Sequence, residues 1–142
     1  MKKIMLSHGG GGEEMNSLIN ETIFKIFDNE ILRQSNDSAI LNLNGKIAFS
    51  SDSFVVTPIF FNGGDIGKIA ACGTINDLAM VGASAKYLSC SLIIEEGLSI
   101  EELENVLGSL AKTCKESGVS VVCGDTKVVP KGKCDKIFIN TS

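Results

Sequence analysis

No apolar run in the sequence approaches the roughly 18 residues that a membrane-spanning helix needs. The opening Met1-Lys2-Lys3-Ile4-Met5-Leu6 is too short for a signal peptide before the polar Ser7-His8 and the glycines. The five cysteines (Cys72, Cys90, Cys114, Cys123, Cys134) are odd in number and lack a C-x-x-C spacing. That argues against a disulfide framework or a zinc ribbon and fits a reducing cytosol. Positive charge is not in excess: 13 Lys and Arg face 17 Asp and Glu, for a net charge of −4. A sequence-independent phosphate-backbone binder is therefore disfavoured, and no nucleic-acid or membrane partner is expected. There is no internal repeat and no G-x-x-x-x-G-K-[ST] loop. His8 is the single histidine and proves nothing alone.

What is present is enough for one domain, expected over 1–142. Hydrophobic residues make up 44% and charged residues 21%, which excludes a disordered chain. A mean hydropathy of +0.21 is high for a small acidic monomer and points to apolar surface covered by a partner subunit or a further domain. Lys127, Lys131, Lys133 and Lys136 form a basic cluster that reads as the solvated end of a hairpin.

The apolar spacing of Met15, Leu18, Ile19, Ile23, Ile26 and Phe27 predicts a helix over about 13–27. Asn44-Gly45 between Ala39–Leu43 and Lys46–Phe49 is a strong hairpin signal, because both turn positions need positive φ. The second strand should reach Val55-Val56. A helix over about 65–81 should bury Ile66, Ile69, Ala70, Gly73, Met80 and Val81, and stop at Gly82. Tyr87 to Ile94 reads as a strand buried on both faces. Ser99 with Glu102 is a capping box, Leu98 with Leu103 a hydrophobic staple, and Gly118 the stop of the next helix. Strands are expected at 119–123 and 136–141. The order α-β-β-α-β-α-β-β predicts an α+β fold, a mixed β-sheet with helices on one face. The sequence ends on a strand-like run, which reads as a cut inside a longer protein.

Three sets of carboxylates stand out. A two-residue turn at Asn44-Gly45 would place Asp37 opposite Asp52, with Cβ atoms about 4.5–5.5 Å apart, a repulsion that a cation would remove. The alternative is that Asp37 precedes the ladder as a turn residue. Asp77 lies near the apolar stripe of its helix, where it is either partnered or exposed at the edge. Asp125 follows a strand and Gly124, a place for a metal ligand or a turn. Convergence of all four would make an oxygen-rich site suited to Mg²⁺. The run Gly9, Gly10, Gly11, Gly12 could wrap phosphate with its N–H groups, although Glu13 and Glu14 would oppose an anion there.

These segments together resemble a known family. Ser7–Gly12, Ser51–Val56, Phe60–Gly67, Gly73–Met80, Gly124–Val129 and Phe138–Thr141 are similar to the hydrogenase expression/formation protein HypE family. That family sits in the aminoimidazole ribonucleotide (AIR) synthase-like superfamily with selenophosphate synthetase and thiamine-monophosphate kinase. The resemblance covers the whole chain and implies an AIR synthase-like N-terminal domain that binds ATP and Mg²⁺. It implies a carbamoyl dehydratase, converting a carboxamide on a C-terminal cysteine to thiocyanate, the source of cyanide for [NiFe] hydrogenase. It implies Asp37, Asp52, Asp77 and Asp125 as metal ligands. His8, Gly9 to Gly12, Asp65, Asn76 and Thr126 become nucleotide contacts, and Lys127 the catalytic residue. It implies a homodimer through the sheet face, with HypF and a HypC–HypD complex as partners. Asn62 replaces an expected proline, and none of the five cysteines stands at the carrier position, so this chain is not expected to dehydrate itself. The alternatives are a dimerisation or docking module without activity in isolation, or another ATP-dependent superfamily enzyme of the small-molecule kinase or selenophosphate synthetase type.

Overall fold

The computed structural model describes residues 2–142. A helical turn at Leu6–Gly9 precedes α1 (Glu13–Leu18), which continues through a π-helical segment, Ile19–Ile23, into α2 (Phe24–Phe27). Then come β1 (Asp52–Phe54), β2 (Phe60–Phe61), β3 (Gly64–Asp65), α3 (Ile66–Met80), β4 (Tyr87–Glu95), α4 (Ile100–Glu116), β5 (Ser120–Val129) and β6 (Ile137–Thr141). The main sheet has the order β1-β6-β4-β5. β6 runs antiparallel to both β1 and β4, while β4 and β5 are parallel, so the sheet is mixed.

α4 forms where local chemistry demands it. The Ser99 hydroxyl accepts from the Glu102 N–H and the Glu102 carboxylate accepts from the Ser99 N–H, completing the capping box. Such a cap contributes about 1 kcal/mol. The Lys136 ammonium, 2.7 Å from Glu102 Oε1, holds that carboxyl below its usual range. Leu103, Val106, Leu107, Leu110 and Cys114 bury one face of the helix. Leu88, Cys90, Leu92 and Ile94 of β4 and Ile137 and Ile139 of β6 supply the facing layer. α3 lies over β6 and β1, α4 lies over β5, and α2 packs beside α4.

The structure corrects several expectations. Residues 39–50 form no strand, although Gly45 takes the expected positive φ of 80°. Ile40, Leu43, Ile47 and Phe49 remain exposed, so the segment has no layer to pack on within one chain, and a two-stranded hairpin alone is marginal. Asp52 accordingly pairs with Thr141, not with Asp37. The short hairpin that does close, β2–β3, turns at Asn62-Gly63, where buried Ile59 and Ile66 anchor both ends. β4 alternates buried and part-exposed residues, because helices cover only one face of the sheet. β5 continues through Gly124 to Val129, since Gly124 fits directly against Cys90. β5 and β6 are not a hairpin: β4 lies between them, and the Glu95 carboxylate accepts from the Gly132 N–H at 2.6 Å to hold the crossing loop. Finally, α3 buries Ile66, Gly67, Ala70, Ala71 and Thr74, leaving Met80 and Val81 exposed. Its small and apolar residues are spread around the axis, so periodicity could not select its inner face.

Two consequences are measurable. A Cβ on Gly67 would lie 2.0 Å from the Val106 carbonyl oxygen, whereas Gly108 of α4 faces open space. Gly67→Ala should therefore destabilise the domain by about 1–3 kcal/mol in urea denaturation. Gly108→Ala should stabilise it by about 0.5–1 kcal/mol. Burial pushes the Cys90 thiol up to about 12 and the Cys114 thiol up to about 11, from an ordinary 9.0. Both folded values exceed the unfolded one, so the stability they contribute is complete below about pH 9 and is lost as pH rises toward the folded values. Stability should fall there by about 1.4 kcal/mol per pH unit for each thiol, and Cys114→Ala should make the slope shallower. An unchanged slope in that variant would contradict the assignment.

Candidate functional site

On α3, Ala70, Gly73, Thr74 and Asp77 share the face turned to the β6–β1 edge, by their spacing of three and four. Gly73 lets the chain of β1 come close: a Cβ there would stand 2.6 Å from the Phe54 ring and 3.8 Å from Asp52 Oδ2. Asp77 follows one turn later, its Cβ about 5–6 Å along the helix from position 73. Asp52 and Asp77 thus stand at the same corner. Asp52 Oδ1 accepts from the Ser53 N–H at 2.9 Å, and Asp77 Oδ2 accepts from the Ser50 hydroxyl at 3.1 Å. Each carboxylate keeps its second oxygen for another ligand. Two carboxylates with phosphate oxygens are a usual Mg²⁺ donor set.

A second corner lies at the opposite edge of the sheet. Asp125 and Lys127 project from the same side of β5, with Lys127 Nζ 3.0 Å from Asp125 Oδ1. The glycine segment runs beside them, since Gly9 packs directly on the Val128 backbone. The His8 Nδ1 accepts from the Met5 N–H at 3.0 Å and closes its own turn. Gly11 has φ +77°, a conformation that favours glycine.

The two corners do not meet within one chain. β1 and β5 are the two edges of the sheet, three strand spacings or roughly 14 Å apart. They also look to opposite faces, because Asp52 shares the helix face with Thr141, whereas Asp125 stands on the uncovered face. Among the described residues no three His, Cys, Asp or Glu side chains gather as a metal set. The expected convergence of Asp37, Asp52, Asp77 and Asp125 in one copy is therefore corrected. Asp37 is exposed in the segment without strands.

The remaining candidates separate by role. Asp65 is the N-cap of α3, its carboxylate accepting from the Lys68 N–H at 2.8 Å, so its oxygen serves the helix. Asn76 is exposed on α3, beside the Asp77 corner. Thr126 is buried on the inner face, pointing away from Asp125 and Lys127. It lines a cavity of about 130 Å³ with Ile19, Phe24, Leu92 and Cys123 under the N-terminal helix. Sequence reasoning missed Thr74, Thr141 and Asn140. The Asn140 amide donates to the Asp52 carbonyl at 2.9 Å and to the Ser53 hydroxyl at 3.0 Å. Register places it in an unbroken polar row, Ser53–Asn140–Ser91–Asp125, across the uncovered face. Strict alternation along β4, β5 and β6 was the signal that could have found this row.

Comparison with known proteins follows this geometry. The chain is 48% identical to carbamoyl dehydratase HypE of Escherichia coli K12, across 100% of this chain and 44% of the relative. A crystal structure of hydrogenase maturation protein HypE in complex with ATP superposes with a TM-score of 0.95 at 52% identity, covering 96% of this chain and 41% of the other. The same protein type in a HypE–HypF complex gives a TM-score of 0.64 at 48% identity, covering 88% of this chain and 40% of the other. The chain spans less than half the length of these relatives. Residues 35–142 match the family model described as AIR synthase related protein, N-terminal domain. With most of its length inside that match, the chain belongs to the AIR synthase related protein family and forms its N-terminal domain.

Proposed function

We propose that this chain is the nucleotide-binding part of a HypE-like carbamoyl dehydratase that works as a homodimer. The observation that carries the reading is the TM-score of 0.95 with a HypE bound to ATP, at 52% identity. In the proposed reaction a cysteine-bound carboxamide, S–C(=O)–NH₂, gives its oxygen to the γ-phosphoryl group of ATP. Loss of the two N–H protons and of the phosphorylated oxygen leaves S–C≡N, ADP and inorganic phosphate. In this reading the carrier cysteine and the rest of the dehydratase belong to the portion of such a protein that this chain, which covers 44% of its Escherichia coli relative, does not span.

Bound Mg²⁺ would neutralise charge on the phosphates. Asp52 and Asp77 have the donor atoms to hold it, and Asp125 offers another carboxylate from the second edge. The Lys127 ammonium, already fixed by Asp125, can face the charge that develops on the transferred group. The glycines at 9–12 can follow phosphate with backbone N–H groups, closing over the nucleotide with His8.

The separation of the two corners favours a site shared between copies. Two chains associating through their sheets, with the β5 edge of one beside the β1 edge of the other, would bring Asp125 and Lys127 of one toward Asp52 and Asp77 of the other. The uncovered face has the mixed character such a contact needs, with the polar row beside half-buried Phe138 and exposed Ile93. HypF is the proposed protein partner, supported by the HypE–HypF complex of a relative, and a HypC–HypD complex is proposed to receive the cyanide group. The free cysteines suit a cytoplasmic enzyme.

Mixing two inactive full-length variants tests the shared site. Asp52→Asn and Asp125→Asn should each abolish ATP-dependent dehydration and keep the fold. After subunit exchange, half of the dimers are mixed and each holds one unaltered site, so activity should return to about a quarter of wild type. No recovery despite proven exchange would place both aspartates in one chain's site. Wild-type turnover in either single variant would remove that residue from the site.

A further inference from the structure

Thr74 and Thr141 are both fully buried, yet each keeps a hydroxyl in an apolar layer. Their Oγ1 atoms are 2.6 Å apart. With the Thr141 hydroxyl donating to the Ala70 carbonyl at 2.9 Å, Thr74 donates to Thr141 Oγ1; in the reverse arrangement Thr141 donates to Thr74 Oγ1 and Thr74 to the Thr141 carbonyl at 3.4 Å. In both arrangements the pair ties α3 to β6 by a buried hydrogen bond. Burying two hydroxyls only to join a helix to a sheet gains little, since an apolar pair of the same shape packs as well. What the hydroxyls add is direction. Each bond has a fixed length and angle, so the chain Thr74–Thr141–Ala70 allows one axial position of α3 along β6, whereas a valine pair would tolerate sliding.

That axial position bears on the Asp52–Asp77 corner. Thr141 is the register partner of Asp52 on the neighbouring strand. Thr74 lies three residues before Asp77 on the same face of α3. The hydroxyl pair is thus a buried hydrogen-bonded link between the helix that carries Asp77 and the strand paired with the one that carries Asp52. We infer that Thr74 and Thr141 are positioning residues that set the spacing of the Asp52 and Asp77 carboxylates for a divalent cation. This rests on the proposal above that those carboxylates hold the metal of a bound nucleotide.

The test uses the full-length protein, with Mn²⁺ as the probe and a non-hydrolysable ATP analogue present. Free Mn²⁺ is read by its electron paramagnetic resonance signal, and affinity for the analogue alone is measured without metal. Thr141→Val should weaken Mn²⁺ binding about tenfold or more. It should leave metal-free analogue binding unchanged. Thr141→Ser keeps the hydroxyl and should bind Mn²⁺ like wild type. Asp77→Asn, the reference, should weaken Mn²⁺ binding at least as much as Thr141→Val. Should Asp77→Asn bind Mn²⁺ normally, the carboxylate reading itself fails. Should Asp77→Asn weaken binding while Thr141→Val lowers only the melting temperature, the threonine pair is structural and the inference is overturned. A loss in Thr141→Ser equal to that in Thr141→Val would overturn it too, because the hydroxyl would not be the agent. If Thr141→Val does not fold, Thr74→Val carries the same comparison, since it leaves the Thr141–Ala70 bond in place.

Discussion

Helices cover one face of the β1-β6-β4-β5 sheet, and the width of that sheet keeps its two candidate corners apart. β1 brings Asp52 to the helix face at one edge, and β5 carries Asp125 and Lys127 on the bare face at the other. No side-chain rearrangement can span roughly 14 Å between edge strands. A carboxylate site that uses both corners has to draw them from different copies. The bare face and the separated corners are thus two results of a single architectural fact.

Close packing on the covered face depends on small residues. Gly67 admits the α4 backbone, and Gly73 admits the Phe54 ring and with it β1. Between them on the helix, Ala70 offers its carbonyl to Thr141. A helix with bulkier residues along this stripe would stand farther from the sheet, and Asp77 would then lose its approach to Asp52. The sparse side chains of α3 are therefore as much a part of the candidate site as its carboxylates.

The sequence is readable where local chemistry and long-range packing agree. The Ser99–Glu102 capping box, the stripe of α4 and the stop at Gly118 form as their residues predict, because cap, stripe and core point the same way. The mixed sheet with helices on one face also follows from the order of elements. Agreement fails at 39–49, where the same Asn-Gly dipeptide that closes β2–β3 at 62–63 finds no buried residues beside it. It fails again for α3, whose inner face is chosen by glycine and threonine contacts that hydrophobicity does not register. For the candidate site, residue types and motifs singled out Asp52, Asp77, Asp125 and Lys127, but their division between two edges depends on strand order. Strand order is a property of the folded sheet, and the extension of β5 past Gly124 was hidden by the glycine itself. Asp65 shows the converse, a motif residue whose carboxylate has a complete structural task as a helix cap.

The shared site is tested most directly by anomalous scattering from Mn²⁺ in crystals of the full-length protein with a non-hydrolysable ATP analogue. The account predicts a manganese peak held by Asp52 or Asp77 of one copy, with Asp125 of a second copy beside the same phosphates. A peak whose protein ligands all come from a single chain, or one remote from α3, would contradict it.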